Sequence, residues 1–209
     1  MESNISELIL RNPQLEGQEK NINEALELLI SAAQKKKIIL VAGNGGSSAD
    51  ADHIVGELMK SFLLKRTLDS STKTKLKAIS PMGEEIAAGL QGAIAAINLS
   101  AHTSLTSAFS NDVNYDLVFA QQTLGYGKED GVFWGFSTSG NSLNVVNGAL
   151  VAKAMGMKVL GMTGLHGGQL KTFCDVCIQV PETETFRIQE LQQPIYHFLC
   201  LEVEKALFG

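Results

Sequence analysis

A three-layer α/β fold is predicted: a doubly wound parallel sheet of five strands, preceded by a helical N-terminal segment. Three features of the sequence point to it. Five short runs rich in Ile, Val, Leu and Phe recur along the chain, stretches with apolar residues at three-to-four spacing separate them, and glycine- or serine-rich turns follow several of the runs. Strands that alternate with helices pair in parallel, because each return crosses over through a helix. Such strands are covered on both faces and read as near-continuous apolar runs.

Residues Ile5 to Lys35 are mostly helix formers, and Ile22, Ala25, Leu26, Leu29 and Ile30 mark one apolar face. The run KKKIILVAGNGG then changes the pattern to a strand ending in a glycine turn. Four further strands are expected within Ile94–Ser100, Gly131–Gly140, Lys158–Gly164 and Asp175–Val180. Helical spacing fills Ala49–Phe62, Tyr115–Leu124, Ser142–Ala154, a short piece after Gly167, and Thr185–Leu207. All 209 residues form one domain on this reading.

Leu64 to Gly92 breaks the rhythm, being too long for an ordinary helix-to-strand connection. It reads as a surface excursion with its own short helix, the sharper alternative being a lid near the site. Its Lys-rich half is expected to be mobile, with Lys65, Arg66, Lys73, Lys75 and Lys77 free to approach a phosphosugar or an acidic neighbouring subunit. The apolar half from Met82 onward is expected to dock on protein.

With 44% hydrophobic and 19% charged residues, and 20 Gly against 4 Pro, the chain is globular, not disordered, collagenous or coiled-coil. A net charge of −5 argues against a general nucleic-acid binder, which needs a basic surface. The N-terminal MESNISELILRN lacks the basic region of a signal peptide, and no run reaches the length of a membrane span. Three cysteines, an odd count, read as free thiols in a reducing compartment, so a cytoplasmic location is expected.

Two loops place small residues between a strand and a helix: Gly43-Asn44-Gly45-Gly46-Ser47-Ser48 and Ser137-Thr138-Ser139-Gly140-Asn141-Ser142. A helix N-terminus offers unpaired N–H donors and a positive dipole end, so such loops cradle phosphate without needing lysine. Neither carries the Gly-Lys-Ser/Thr ending of a P-loop, and Ser48 stands where a dinucleotide fingerprint needs its third glycine. A small phosphorylated ligand is therefore favoured over ATP or NAD.

His53 and Glu57 are four residues apart on one expected helix face, a spacing that suits a divalent metal, an acid/base pair or a plain surface hydrogen bond. The last helix carries Arg187, Gln189, Glu190 and His197, with Pro194 expected to kink it before His197. Cys174-Asp175-Val176-Cys177 has the spacing of a redox or zinc motif. It lies at a strand start with no second pair, so a structural role is favoured.

Taken together, these pieces resemble the sugar isomerase (SIS) domain, a flavodoxin-like fold, and within it the phosphoheptose isomerases. The resemblance rests on GNGGSSADADHIVGEL, SND before Val113, FSTSGNSLNVV, GMTGLHGG and RIQELQQPIYH, in that order. It runs from about Asn21 to the C-terminus, excluding much of 64–92. It implies that Ser137, Thr138, Ser139 and Ser142 hold the sugar phosphate, and that Asn44, Gly45, Gly46, Ser47, Asn111, Asp112 and Gln189 contact substrate. The catalytic pair it implies is Glu57 and His197, and its zinc ligands correspond to His53, Glu57, Gln189 and His197. Gln189 and His197 lie about 12 Å apart along a regular helix. Sharing one ion would need an irregular helix start, the proline kink or a neighbouring subunit.

The activity implied is isomerisation of sedoheptulose 7-phosphate to D-glycero-D-manno-heptose 7-phosphate through an enediol, by a homotetramer with no nucleic-acid or membrane partner. The alternatives are an isomerase of another sugar phosphate and a non-catalytic SIS module that senses a phosphosugar or binds a protein. Catalytic relatives are set apart from such modules by the carboxylate and histidine, and both Glu57 and His197 are present.

Overall fold

The computed structural model describes residues 4–209. Helices α1 (Ile5–Arg11) and α2 (Glu19–Gln34) precede β1 (Ile39–Ala42) and α3 (Gly46–Met59). Then come α4 (Ser70–Ile79), α5 (Met82–Gly89), β2 (Ala96–Asn98), α6 (Thr103–Phe109) and α7 (Val118–Tyr126). The remainder is β3 (Val132–Phe136), α8 (Leu143–Ala154), β4 (Lys158–Thr163), a 3-10 turn over Leu170–Phe173, β5 (Val176–Gln179) and α9 (Thr185–Phe208).

The strands pair in the order β2-β1-β3-β4-β5, and every pair is parallel. Each strand lies inside the apolar run that predicted it. Alternation along a strand sends successive side chains to opposite layers. Ile39, Val41, Val132, Trp134 and Leu160 face the layer of α2, α3 and α9, while Leu40, Ala42, Phe133 and Val159 face α7 and α8. Because both layers are apolar, no polar alternation survives in the central strands β1 and β3, whereas the edge strand β5 alternates buried Val176 and Ile178 with half-buried Cys177 and Gln179. The predicted face of α2 is the one used: Ile22, Ala25, Leu26 and Leu29 are buried.

The chain winds outward from β1 to β2 and in the opposite sense from β3 to β5, so the topological switch lies between β1 and β3. Crevices at the carboxyl ends of such strands are where open α/β sheets bind ligands. Ala42 of β1 pairs with Gly135 of β3, so the two small-residue loops leave the sheet side by side.

The excursion departs from expectation in two ways. It holds two helices, and the Lys-rich stretch Ser70–Ile79, read as loop, is one of them. Asp69 caps α4 by accepting the Thr72 N–H at 2.9 Å. Helix α4 buries none of its residues, so what fixes it is α5: a Cβ on Gly83 would overlap the Leu76 carbonyl.

Arg66 is the second departure. Expected among outward-facing cations, it is 1% exposed. Its guanidinium donates to Glu204 Oε1 at 2.7 Å, to the Leu58 carbonyl at 2.6 Å and to the Glu57 carbonyl at 2.8 Å. Glu204 in turn accepts the N–H groups of Phe62, Leu63 and Leu64 at 2.7, 2.7 and 2.9 Å. The last carbonyls of a helix have no partner within it, and buried backbone donors must find an acceptor. One ion pair therefore closes the C-terminal end of α3 and the turn that follows it. Burial pushes the Glu204 carboxyl up, but the three N–H donors and Arg66 together outweigh it and hold the group below its ordinary value.

Candidate active site

The turn from β1 into α3 dictates its own glycines. A Cβ on Gly43 would sit 2.6 Å from the Ser47 carbonyl oxygen, and Gly45 has a φ of +55°. Both positions serve the geometry that opens the α3 N-terminus at the strand end. Gly46 answers to a different neighbour: its missing Cβ leaves room for Gln189, whose Nε2 also lies 3.5 Å from Ser47 Oγ.

The second loop curls upon itself. The Ser137 carbonyl accepts the Gly140 N–H at 2.9 Å, Ser137 Oγ accepts the Ser142 N–H at 3.3 Å, and Ser139 Oγ accepts the Asn141 N–H at 3.1 Å. Gly140 has a φ of +70°, and a Cβ there would strike the Gly167 carbonyl. The GMTGLHGG segment after β4 supports it from behind. Leu170 N–H bonds the Gly140 carbonyl at 2.9 Å and Gln169 N–H bonds Asn141 Oδ1 at 3.0 Å. Ser139 is exposed and Thr138 and Ser142 are half-buried, so their hydroxyls border solvent, whereas Ser137 is 3% exposed. The start of α8 adds N–H donors and a positive dipole end, the equipment of an anion site.

A reciprocal amide pair joins the two loops. Asn44 Nδ2 donates to Asn144 Oδ1 and Asn144 Nδ2 to Asn44 Oδ1, both at 2.9 Å, and the Tyr115 hydroxyl donates to Asn44 Oδ1 at 3.0 Å.

The acid/base candidates lie farther down α3, His53 being about 10 Å along the helix from Gly46. His53 Nε2 is 3.5 Å from Glu57 Oε1 and 3.4 Å from His197 Nε2 of α9. Glu57 is nearly covered and its Oε2 accepts from Lys60 Nζ at 3.0 Å. Burial pushes the His197 imidazole below its ordinary value and His53 adds to this, while Glu57 opposes it. Behind His53, Tyr196 places its hydroxyl 3.2 Å from Asp50 Oδ1 and 3.3 Å from His53 Nδ1.

Thus the structure brings Glu57, His53 and His197 together, and separately unites Asn44, Gly45, Gly46 and Ser47 with Gln189 at the start of α3. Helix α9 is continuous from Thr185 through Pro194 to Phe208, and it runs beside α3 so that Gln189 meets Ser47 and His197 meets His53. Gln189 is not beside the histidine pair within this chain. Asn111 and Asp112 lie in a π-helical turn over Ser110–Asn114, exposed and bonded to each other at 2.9 Å. Among the described residues no hydrogen bond joins them to the other candidates, although Tyr115, just beyond, reaches Asn44. Arg187 is exposed and pairs with Glu184 at 2.8 Å.

Asn144, Tyr115, Tyr196 and Asp50 escaped the sequence reading. Asn144 sits inside the FSTSGNSLNVV motif, yet nothing local tells that it faces Asn44. Cys174 and Cys177 flank Gly161, and Cys174 Sγ donates to the Leu170 carbonyl at 3.2 Å, which agrees with a structural role.

Donors bound to one tetrahedral zinc at about 2.0–2.1 Å stand roughly 3.3–3.4 Å apart, close to both separations measured from His53 Nε2. The His, His, Glu and Gln donor set suits that ion chemically. It is not closed, however: Lys60 holds Glu57 Oε2, and among the described residues no group of three His, Cys, Asp or Glu is arranged to hold a metal ion.

A doubly wound sheet with a hydroxyl-rich loop at its switch point, and a carboxylate and an imidazole on the adjoining helix facing a second imidazole on α9, is the arrangement expected of a SIS domain. The model of the SIS domain family matches residues 9–87 and 85–164. The phosphoheptose isomerase of Aneurinibacillus thermoaerophilus is 35% identical over 205 residues, covering 98% of this chain and 89% of that protein. The phosphoheptose isomerase of Clostridium acetobutylicum is 36% identical over 190 residues, covering 91% and 84%. The solved phosphoheptose isomerase of Neisseria gonorrhoeae superposes with a TM-score of 0.75 at 29% identity, covering 97% of this chain and 95% of that one. The chain belongs to the phosphoheptose isomerase family of SIS-domain sugar-phosphate isomerases.

Proposed function

We propose that this enzyme interconverts sedoheptulose 7-phosphate and D-glycero-D-manno-heptose 7-phosphate through an enediol. The observation that carries the reading is the cluster of Glu57, His53 and His197, two turns of α3 beyond the loops that suit a phosphate. Ser137, Thr138, Ser139 and Ser142, with the α8 N-terminus, anchor the phosphate and fix the orientation of the open-chain sugar. Glu57 takes the proton from C1 of the ketose and returns it to C2, which yields the aldose. His197, held largely neutral by burial and His53, moves the accompanying proton between O1 and O2.

Zinc on His53, Glu57, Gln189 and His197 is part of the proposal. When bound it would supply Lewis-acid polarisation of the carbonyl. Sharing of one ion by Gln189 and His197 then requires that Gln189 come from another subunit or swing from Ser47, and a homotetramer with sites between subunits is proposed accordingly. A cytoplasmic location fits the free state of all three cysteines among the described residues, none of whose helices is long and apolar enough to cross a membrane.

The test is turnover of a panel of ketose and aldose phosphates with and without added zinc. Preference for the seven-carbon pair supports the reading, and preference for another sugar phosphate replaces it. Binding without turnover of any member would make the protein a sensor.

A further inference from the structure

We propose that Asn144 and Tyr115 are positioning residues that lock the Asn44 side chain, so that it shows the crevice a single open group, an N–H aimed at the phosphate of the substrate. The inference deepens the proposed isomerase site and rests on it for the ligand, but it concerns two residues to which that site gives no role.

A backbone group fixes which way the amide pair faces. Asn144 Oδ1 accepts the Val145 N–H at 2.9 Å, a hydrogen shared with the Ser142 carbonyl at 3.0 Å. A backbone N–H can only donate, so the atom that meets it is the amide oxygen. The flipped amide would set two donors against each other. Asn144 Oδ1 therefore faces Asn44 Nδ2, and Asn144 Nδ2 faces Asn44 Oδ1, each at 2.9 Å.

An asparagine amide has two N–H donors and two acceptor lone pairs. On Asn44 the pair with Asn144 takes one donor and one lone pair, and the Tyr115 hydroxyl takes the other lone pair at 3.0 Å. One N–H is left. The pair uses the hydrogen beside the carbonyl oxygen, so the remaining one points out of the ring that the two amides form. Asn144 is 2% exposed and Asn44 half-buried, so the open side of the pair is the Asn44 side. It borders the crevice between the β1 and β3 loops, where the start of α8 also presents N–H donors.

Helix α8 holds both partners of Asn44. Asn144 stands in its first turn. Asn147, one turn on, donates to the Asp116 carbonyl at 2.9 Å and so ties down the 3-10 turn Tyr115–Leu117. Asn114 caps that turn by accepting the Asp116 N–H at 2.8 Å. The contacts close a circuit from Asn44 through α8 to Tyr115 and back to Asn44. With both lone pairs of its oxygen taken, Asn44 offers the crevice no acceptor. A phosphate oxygen is itself an acceptor, so a donor-only amide attracts it, whereas a bare carbonyl lone pair would repel it.

The two Asn44 amide hydrogens can be followed separately by nitrogen-resolved proton NMR of the full-length protein. On titration with inorganic phosphate, the outer hydrogen should shift downfield while the inner one, held by Asn144, hardly moves. Asn144→Ala lets the Asn44 amide turn, so the contrast between its two hydrogens should vanish. Tyr115→Phe removes only the hydroxyl and uncovers the lone pair. Phosphate affinity should then weaken about 3–10-fold, and KM for heptose phosphate should rise in step while kcat stays within about twofold. An outer hydrogen unmoved by phosphate, or an inner one that moves in its place, would overturn the proposal without recourse to any variant. A Tyr115→Phe protein of unchanged phosphate affinity would overturn the role of Tyr115. A wild type that shows the outer-hydrogen shift but turns over no heptose phosphate would keep the lock and remove the isomerase reading.

Discussion

Asn44 and Asn144 lie 100 residues apart in the chain and exchange two amide hydrogen bonds of 2.9 Å. The bonds cross the seam between β1 and β3 and tie the start of α3 to the start of α8. Asn144 is 2% exposed, so no solvent stands ready to replace its partner. The pair sets the spacing between the helix that bears Glu57 and the helix proposed to receive the phosphate.

Cutting that tie should separate binding from folding. Asn144→Ala removes the two hydrogen bonds to Asn44 and the one that Asn144 Oδ1 accepts from the Val145 N–H at 2.9 Å, about 1 kcal/mol each, so KM for the sugar phosphate should rise by about an order of magnitude. Inorganic phosphate affinity should fall in parallel, and the melting temperature by only a few degrees. Unchanged phosphate affinity would mean that the loops hold their spacing without the amide pair.

The second loop can be tested apart from the chemistry. Ser137→Ala with Ser139→Ala removes two hydroxyls, one of which also holds the Ser142 N–H at 3.3 Å. Affinity for substrate and for inorganic phosphate should each weaken by about tenfold or more, since bonds to a charged group are worth about 1.5–3 kcal/mol. Equal phosphate affinity in calorimetry would move the anion site elsewhere.

Stability should depend on Glu204. Glu204→Gln leaves the Arg66 guanidinium buried without its counter-charge, at a cost of about 3–5 kcal/mol, or roughly 10 °C in melting temperature. The sign of the pH effect follows from the carboxyl being held below its ordinary value when folded. Its contribution is fully present above the unfolded carboxylate range and is lost as pH falls through the lower folded value. Wild type should therefore lose stability on acidification below about pH 5 more steeply than the Gln variant, as thermal melts from pH 7 to 3 would show. Parallel curves for the two proteins would count against the pair as a stability determinant.

What could be read from the residues alone follows how local each signal is. All five strands were legible because each is a short apolar run closed by a turn, and the two loops because their glycines and hydroxyls are contiguous. Helix α4 was missed because a helix that buries nothing leaves no apolar period, although Asp69 ahead of Thr72 offered a cap signal. Arg66 was misplaced because its partner Glu204 is 138 residues away, and no charge pattern links the two. At the site, the helical spacing of His53 and Glu57 was local and visible. The approach of His197, Tyr196 and Gln189 depended on how α9 lies along α3, which only the packed core decides.

The most direct test of the account is the fate of sedoheptulose 7-phosphate in deuterated water, followed by proton NMR with the wild type and with Glu57→Gln. The wild type should form the aldose, with solvent deuterium entering at the carbon that receives the proton. The variant should bind the ketose with similar affinity and turn it over at least about 100-fold more slowly. Aldose formation by Glu57→Gln at the wild-type rate would contradict the central claim, that this carboxylate moves the proton between the two carbons.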